Sequence, residues 1–581
     1  MSPPSDLEGR RAQLDARHRP WTATTLAAFL DRVAAQHPDR PWVVGEHATY
    51  SYDRMAQWSR RLAKGLVAGG VGVGDRVALF LPNGAELIAA RFAVARAGAV
   101  AVPINFRLQA QELAYILDHC EPTALITMEA FREVDALDAL DRIAPGWDRR
   151  GATTSVRNLR LVVTVPAGGQ DPRRPGVPTL ADLEGDGDEA LDAELEGRGS
   201  RSGPDEMATI FYTSGTTGRP KGVMSTHDME LRSAYGSAYT RGFEDGRRIV
   251  FALPLNHVFA YVEGLLASMF VAGSVVVQSA FDPDATLTAI ERHRANEALF
   301  VPTMSLAVVE AARRRSADLT SLHSVMSAAS SAPARLWTDL YDVLGVEQCV
   351  TAYGMTETSA ATTFTEPGGP VDDLVGTVGR PKAGGAAGDP DLGGRLAEYK
   401  TVDPVTLGDL PAGAEGELVA RGPIVCRGYY RQPEATAEAM LTGGWLRSGD
   451  LGYVRHDGSL VLTGRSKDLY KCGGELVMPV EVEARLTSRP DVAQAYVVGV
   501  PDPRMGEVGC AWVVPAEDAK LDPDELIEYC RAGLARFKAP AHVIVTAAGE
   551  LPLTASGKVQ KFVLAERAVA RLGREAPTGW A

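Results

Sequence analysis

Ten consecutive residues, Thr213-Ser214-Gly215-Thr216-Thr217-Gly218-Arg219-Pro220-Lys221-Gly222, follow directly on the apolar run 208–212. Glycines there let successive backbone N–H groups turn toward one point, the hydroxyls of Thr213, Ser214, Thr216 and Thr217 add donors, and Arg219 and Lys221 supply positive charge. That combination suits a polyphosphate. A Ser/Thr/Gly turn half as long would read as an ordinary surface loop. The glycine spacing does not fit the Gly-Lys-Ser/Thr ending of the GTPase phosphate loop. Nor does Gly70-Val71-Gly72-Val73-Gly74 fit the dinucleotide fingerprint, because residue 75 is aspartate.

Other clusters carry complementary chemistry. Thr351-Ala352-Tyr353-Gly354-Met355-Thr356-Glu357-Thr358 puts an aromatic ring, a glycine, a hydroxyl and a carboxylate within five residues. Such a set can stack on a base, admit a nucleotide closely, bond a phosphate and hold a hard cation. Trp445-Leu446-Arg447-Ser448-Gly449-Asp450 offers a carboxylate that could accept from both vicinal hydroxyls of a ribose. Taken singly, each could be a turn with a solvated acid.

Together these motifs resemble the adenylate-forming (AMP-binding) superfamily, and within it the acyl-CoA synthetase branch. The likeness runs from about residue 22 to about residue 570. It implies ATP, Mg²⁺ and coenzyme A as co-substrates, a small carboxylic acid as the activated group, and an acyl-adenylate intermediate. On that pattern Thr213 to Gly218 and Lys221 cradle the phosphates, Tyr353 and Gly354 pack against adenine, Thr356 reaches the α-phosphate, and Glu357 holds Mg²⁺. Asp450 and Arg465 take the ribose, and Ser330 sits on the nucleotide side. Lys558, in 551–559, matches the C-terminal lysine that enters the site for adenylation. Lys467 matches the hinge, and Lys471, Gly473 and Gly474 match the segment that swings in for thioester formation. His257, in Pro254-Leu255-Asn256-His257, borders the acid's carboxylate together with Ala328 and Ala329, which stand where relatives carry glycines. Amino-acid-adenylating relatives usually have an Asp in the 254–260 segment, so His257 favours an acid without an α-amino group. An acceptor other than CoA (a carrier protein or a separate transferase), an oxygenase of luciferase type, and a nucleotide-binding protein without activity remain as alternatives.

The elements that must position these residues read as α/β. Helix-period segments at 52–68, 85–97 and 110–118 alternate with apolar strands at 77–81, 100–104 and 208–212, the pattern of parallel sheets covered by helices. The run 249–277 is interrupted by Pro254, Asn256, His257 and Glu263, so strand, loop, helix and strand are expected there rather than a membrane span. Residues 182–196 hold eight acids and no base, and read as a solvated loop or insertion. A hairpin is expected around Asp457-Gly458. The pattern changes after Lys467, giving an N-terminal adenylation domain over 1–466 and a smaller, mobile α+β domain over 467–581.

With 60 basic against 74 acidic residues in a chain of 581, the net charge is −14, which argues against nucleic acid or an anionic membrane as partner. The six scattered cysteines have no zinc-ligand spacing. The start of the chain lacks a basic segment followed by an apolar core, so the cytoplasm is the expected location. Dimers are frequent among relatives, making a homodimer the oligomer to test.

Overall fold

The computed structural model describes residues 6–149, 155–167, 170–185, 189–213, 220–330, 332–465, 468–473, 475–517, 519–554 and 559–573. Two largely parallel sheets form the main body. In the six-stranded sheet, Met207–Thr213, Val100–Pro103, Arg76–Phe80, Ala124–Met128 and Leu161–Val165 run parallel, and Lys221–Thr226 pairs antiparallel at one edge. In the seven-stranded sheet, Gln348–Val350, Ser324–Ser327, Glu297–Phe300, Arg248–Phe251, Ser274–Val277 and Pro41–Val44 run parallel, and Thr49–Ser51 closes the edge antiparallel. The strands read as continuous apolar runs because helices cover both faces. The helix Ala85–Arg96 is buried almost all round, as expected of a helix between layers. The helix Tyr52–Ala68 starts where the Ser51 side chain accepts from the Arg54 N–H.

Parallel strands have a consequence for the site: their carboxyl ends lie on one edge. The segments bearing His257, Ala328 and the 351–358 motif leave the carboxyl ends of Arg248–Phe251, Ser324–Ser327 and Gln348–Val350 respectively. Open α/β sheets bind ligands in the crevice outside those ends.

An antiparallel sheet follows, built from Glu398–Val402, Gly416–Arg421, Met440–Leu441, Trp445–Val454 and Leu460–Arg465. The hairpin turns at Gly458, whose φ of 83° suits glycine. Beyond it, Tyr470–Cys472, Glu475–Val477, Val492–Asp502, Gly506–Pro515 and His542–Val545 form a separate sheet, with the helices Pro479–Thr487, Pro523–Gly533 and Lys561–Arg571. Its apolar core, from Tyr470 to Val569, is a cluster distinct from that of the main body. All six cysteines are buried, and none of them is in a disulfide. Among the described residues no helix is long and apolar enough to cross a membrane.

One expectation needs correction, and one that holds gains detail. The acidic stretch is not all solvated loop: Glu189–Arg201 is a helix. Asp192 finds a base on another element, Lys64 Nζ at 2.7 Å, and Glu194 pairs with Arg198 one turn along the helix. Leu195 is buried, and Arg198 Nη1 donates to the carbonyls of Val71 at 2.8 Å and Ala97 at 3.0 Å. The helix in the 249–277 run is chiefly a π-helix, Phe259–Leu266, whose wider turn a 3.6-residue template does not anticipate.

Arg198→Ala should destabilise the protein by about 1–3 kcal/mol, since two buried carbonyls lose their donor. A lower urea midpoint with an unchanged m-value would bear this out, whereas an unchanged midpoint would mean the helix is not anchored there.

Candidate active site

Asp450 lies in the strand Trp445–Val454, directly across from Arg465 in the antiparallel partner strand Leu460–Arg465. That register brings Arg465 Nε to 2.8 Å from Asp450 Oδ1. From the other side the Tyr353 hydroxyl donates to Oδ2 at 2.7 Å. Asp450 is 5% exposed, so its charge needs both partners. Burial and the neighbouring carboxylate push the Tyr353 hydroxyl well above the usual phenol range, and Asp450 holds the Arg465 guanidinium above its ordinary value. Each carboxylate oxygen carries a second lone pair, which leaves acceptor capacity for ribose hydroxyls. Tyr353, Asp450 and Arg465, far apart in sequence, therefore form one cluster.

Tyr353 and Gly354 belong to the strand Ala352–Met355, and Thr356–Thr358 forms a 3-10 turn. Gly354 has a packing reason to be glycine: an added Cβ would lie 1.9 Å from the Ala360 carbonyl oxygen. Thr356 is buried. The Glu357 carboxylate accepts the Tyr429 hydroxyl at 3.0 Å, and Lys221 Nζ lies 4.7 Å from the centre of the Tyr429 ring. Burial pushes the Glu357 carboxyl up, against the pull of Tyr429, Lys221 and Arg465. Tyr429 thereby meets both the Glu357 carboxylate and the Lys221 ammonium.

The donor set fits Mg²⁺. No group of three or more His, Cys, Asp or Glu side chains able to hold a metal occurs among the described residues. A lone carboxylate is what an ion held chiefly by substrate phosphates and water requires, and the Tyr429 hydroxyl orients that carboxylate.

Thr213 pairs across the ladder with Lys221, so the phosphate loop is closed at its base by an antiparallel pair. Ser214, Gly215, Thr216, Thr217, Gly218 and Arg219 themselves lie outside the described residues, as do Ser331, Ser466, Lys467, Gly474 and residues 555–558, which include Lys558. The flanks of that last segment are joined by a bridge between Leu553 and Val559. Lys471 is exposed beside Gly473, whose φ is 63° and whose Cβ, if present, would meet Met505 Cε at 2.6 Å.

His257 is half-buried, its Nδ1 accepting from the Phe259 N–H at 3.2 Å, immediately before the π-helix. That helix is pinned by the fully buried Glu263. Its backbone carbonyl accepts from Arg241 Nη2 at 2.6 Å, and its Oε1 accepts from the Ala361 N–H at 3.1 Å, just beyond the 356–358 turn. Ala328 is buried, Ala329 has a φ of 78°, and Ser330 is exposed. Ala329 thus holds a backbone conformation that favours glycine, and strain of this kind clusters at functional sites. Sequence reasoning missed Tyr429, Tyr399, whose ring centre lies 6.0 Å from that of Tyr353, and Glu263. Only the charge of Glu263 within an apolar run was a usable signal.

Asp450→Asn should weaken ATP or AMP binding by about 1–3 kcal/mol, roughly five- to 150-fold, and Tyr353→Phe by less, because the ring is kept. Calorimetric titration with AMP checks the order; equal affinities for wild type and Asp450→Asn would remove the ribose role.

Comparison with known proteins places this geometry. Residues 30–430 match the AMP-binding enzyme family, and residues 481–558 match the AMP-binding enzyme C-terminal domain. A feruloyl-CoA synthase of an Amycolatopsis species is 35% identical over 92% of this chain and 97% of its own. The 3-[(3aS,4S,7aS)-7a-methyl-1,5-dioxo-octahydro-1H-inden-4-yl]propanoyl:CoA ligase of Mycobacterium tuberculosis is 34% identical over 93% and 98%. Among solved structures, ATP-bound MatB from Rhodopseudomonas palustris superposes with a TM-score of 0.76 at 26% identity, covering 93% of this chain and 98% of that one. The chain belongs to the AMP-binding enzyme family, in its acyl-CoA synthetase and CoA ligase branch.

Proposed function

We propose that the chain couples a carboxylic acid lacking an α-amino group to coenzyme A in two steps at one crevice, with acyl-adenylate between them. The observation that carries this is the Tyr353–Asp450–Arg465 cluster beside Glu357. The activity itself, ATP-dependent and AMP-forming ligation of an acid to CoA, is that of the branch to which the chain belongs.

In the first step a carboxylate oxygen attacks the α-phosphorus and the bond to pyrophosphate breaks. Two anions must meet, so the site mainly screens repulsion and fixes geometry. Tyr353 flanks the purine, Asp450 and Arg465 hold the ribose, and Thr356 bonds the α-phosphate. Lys558 places its ammonium against the charge shared by carboxylate and α-phosphate. Glu357 holds Mg²⁺, which when bound neutralises phosphate oxygens. His257, Ala328 and Ala329 border the acid. In the second step the thiol sulfur of CoA attacks the acyl carbon, AMP leaves, and the thiol proton is lost. Residues 467–581 act as a mobile domain that turns about Lys467, withdrawing Lys558 and presenting the Lys471–Gly474 face to CoA. A cytoplasmic location fits six cysteines of which none is in a disulfide. A homodimer is part of the same reading, and light scattering decides it.

Pyrophosphate release screened over octanoate, ferulate and indole-3-acetate, with and without CoA, tests the function. AMP and an acyl-CoA should accumulate together with at least one of them, and silence with every acid would refute the reading. Lys558→Ala should cut pyrophosphate release by roughly 10²-fold or more while leaving conversion of supplied acyl-adenylate to thioester nearly intact. Lys467→Pro should do the reverse. Equal loss of both steps in either variant would refute the division of labour.

A further inference from the structure

Arg91 occupies the middle of the buried helix Ala85–Arg96 and is 3% exposed, at a position where an apolar side chain would suffice for packing. Its guanidinium touches three elements. Nη1 donates to the Leu255 carbonyl at 3.1 Å, and Nη2 donates to Thr209 Oγ1 at 3.2 Å. Its central carbon lies 3.3 Å from the centre of the Tyr261 ring and 5.3 Å from that of Phe211. The fully buried carboxylate of Glu230, on the helix His227–Thr240, lies near enough for Arg91 to oppose the rise that burial imposes on its carboxyl.

The identities of those partners matter. Thr209 belongs to the strand Met207–Thr213, which runs into the phosphate loop. Leu255 precedes His257 by two residues, and Tyr261 lies on the π-helix that begins just after it. The Leu255 backbone is held at its other end as well, its N–H donating to Asn83 Oδ1 at 2.8 Å. One cation therefore ties the phosphate-loop strand to both sides of His257. A buried guanidinium is costly unless hydrogen-bonded and paired, and the cation–π contact and Glu230 offset part of that cost. A planar fork serves the carbonyl and the hydroxyl along fixed, diverging N–H directions, which an ammonium on a flexible stem does not hold.

We propose that Arg91 is a positioning residue for adenylation, fixing the His257 segment against the phosphate-loop strand so that the acid's carboxylate meets the α-phosphate in line. This rests on the reading above of His257 as the border of the acid's carboxylate.

The test uses the full chain and whichever of octanoate, ferulate or indole-3-acetate turns over fastest. Arg91→Lys keeps the charge but loses the fork. It should raise KM for the acid about tenfold and lower the rate of pyrophosphate release, with KM for ATP and the conversion of supplied acyl-adenylate by CoA within about threefold of wild type. Arg91→Met combined with Glu230→Gln removes the cation without stranding a carboxylate and should show the larger form of the same split. Adding Arg91→Lys to His257→Ala should cost little more than His257→Ala alone, because both act through one segment. Wild-type acid KM in the Arg91 variants, a loss spread evenly over both half-reactions with a lowered Tm, or additive effects in the double variant would each overturn the proposal. His257→Ala with wild-type acid KM would overturn the reading on which it rests, and the two failures are thereby told apart.

Discussion

The carboxylate of Asp450 is buried with a guanidinium and a phenol against it, and much of the site follows from that arrangement. A buried carboxylate is costly unless it is hydrogen-bonded and paired. Here the Arg465 guanidinium and the Tyr353 hydroxyl each take one oxygen. The arrangement needs the strand Trp445–Val454 to pair in register with Leu460–Arg465 and to lie against the strand that follows Gln348–Val350. A nucleotide bound there meets an acceptor already oriented, which lowers the cost of ordering it. The ion pair also sits at the last described residue before 466–467, beside the chain that enters the smaller C-terminal unit.

A second set of buried charges organises the floor. Glu297, in the middle of the seven-stranded sheet and fully buried, accepts from Arg241 at 2.5 Å and Arg247 at 2.8 Å, and Arg241 continues to Glu263 on the π-helix. Such networks seldom add stability over apolar packing, and breaking one partner is strongly destabilising. Their effect here is geometric. The π-helix after His257 is tethered to the strand beyond Thr356 and Glu357 through Glu263, and to the phosphate-loop strand through Tyr261 and Arg91. The segment bearing His257, the strand beyond Glu357 and the strand Met207–Thr213 thus share supports.

The residues that could be read from sequence were those whose chemistry is local. Tyr353, Thr356 and Glu357 lie within five positions, and Asp450 and Arg465 sit in short motifs with glycines beside them. Most helices and strands were legible for the same reason, since periodicity is a local property: the helix Tyr52–Ala68 and the strand Val100–Pro103 fall within a residue of where their patterns put them. The helix Glu189–Arg201 was hidden because the lysine that pairs with Asp192 and the carbonyls that Arg198 satisfies lie more than a hundred residues away. Tyr429 was invisible likewise, its hydroxyl meeting a carboxylate 72 positions earlier.

The amino-acid sequence alone determined the α/β class, the order of the motifs and the chemistry they can perform, because residue type, period and short spacing survive in one dimension. Tertiary structure alone decided which side chains share a neighbourhood: that Tyr353 grips Asp450, that Lys221 and Tyr429 flank Glu357, and that Arg91 spans to Thr209 and Leu255. Hydrogen bonds and ion pairs act over about 3–4 Å, and distances that short between residues a hundred positions apart exist only once the sheets have packed.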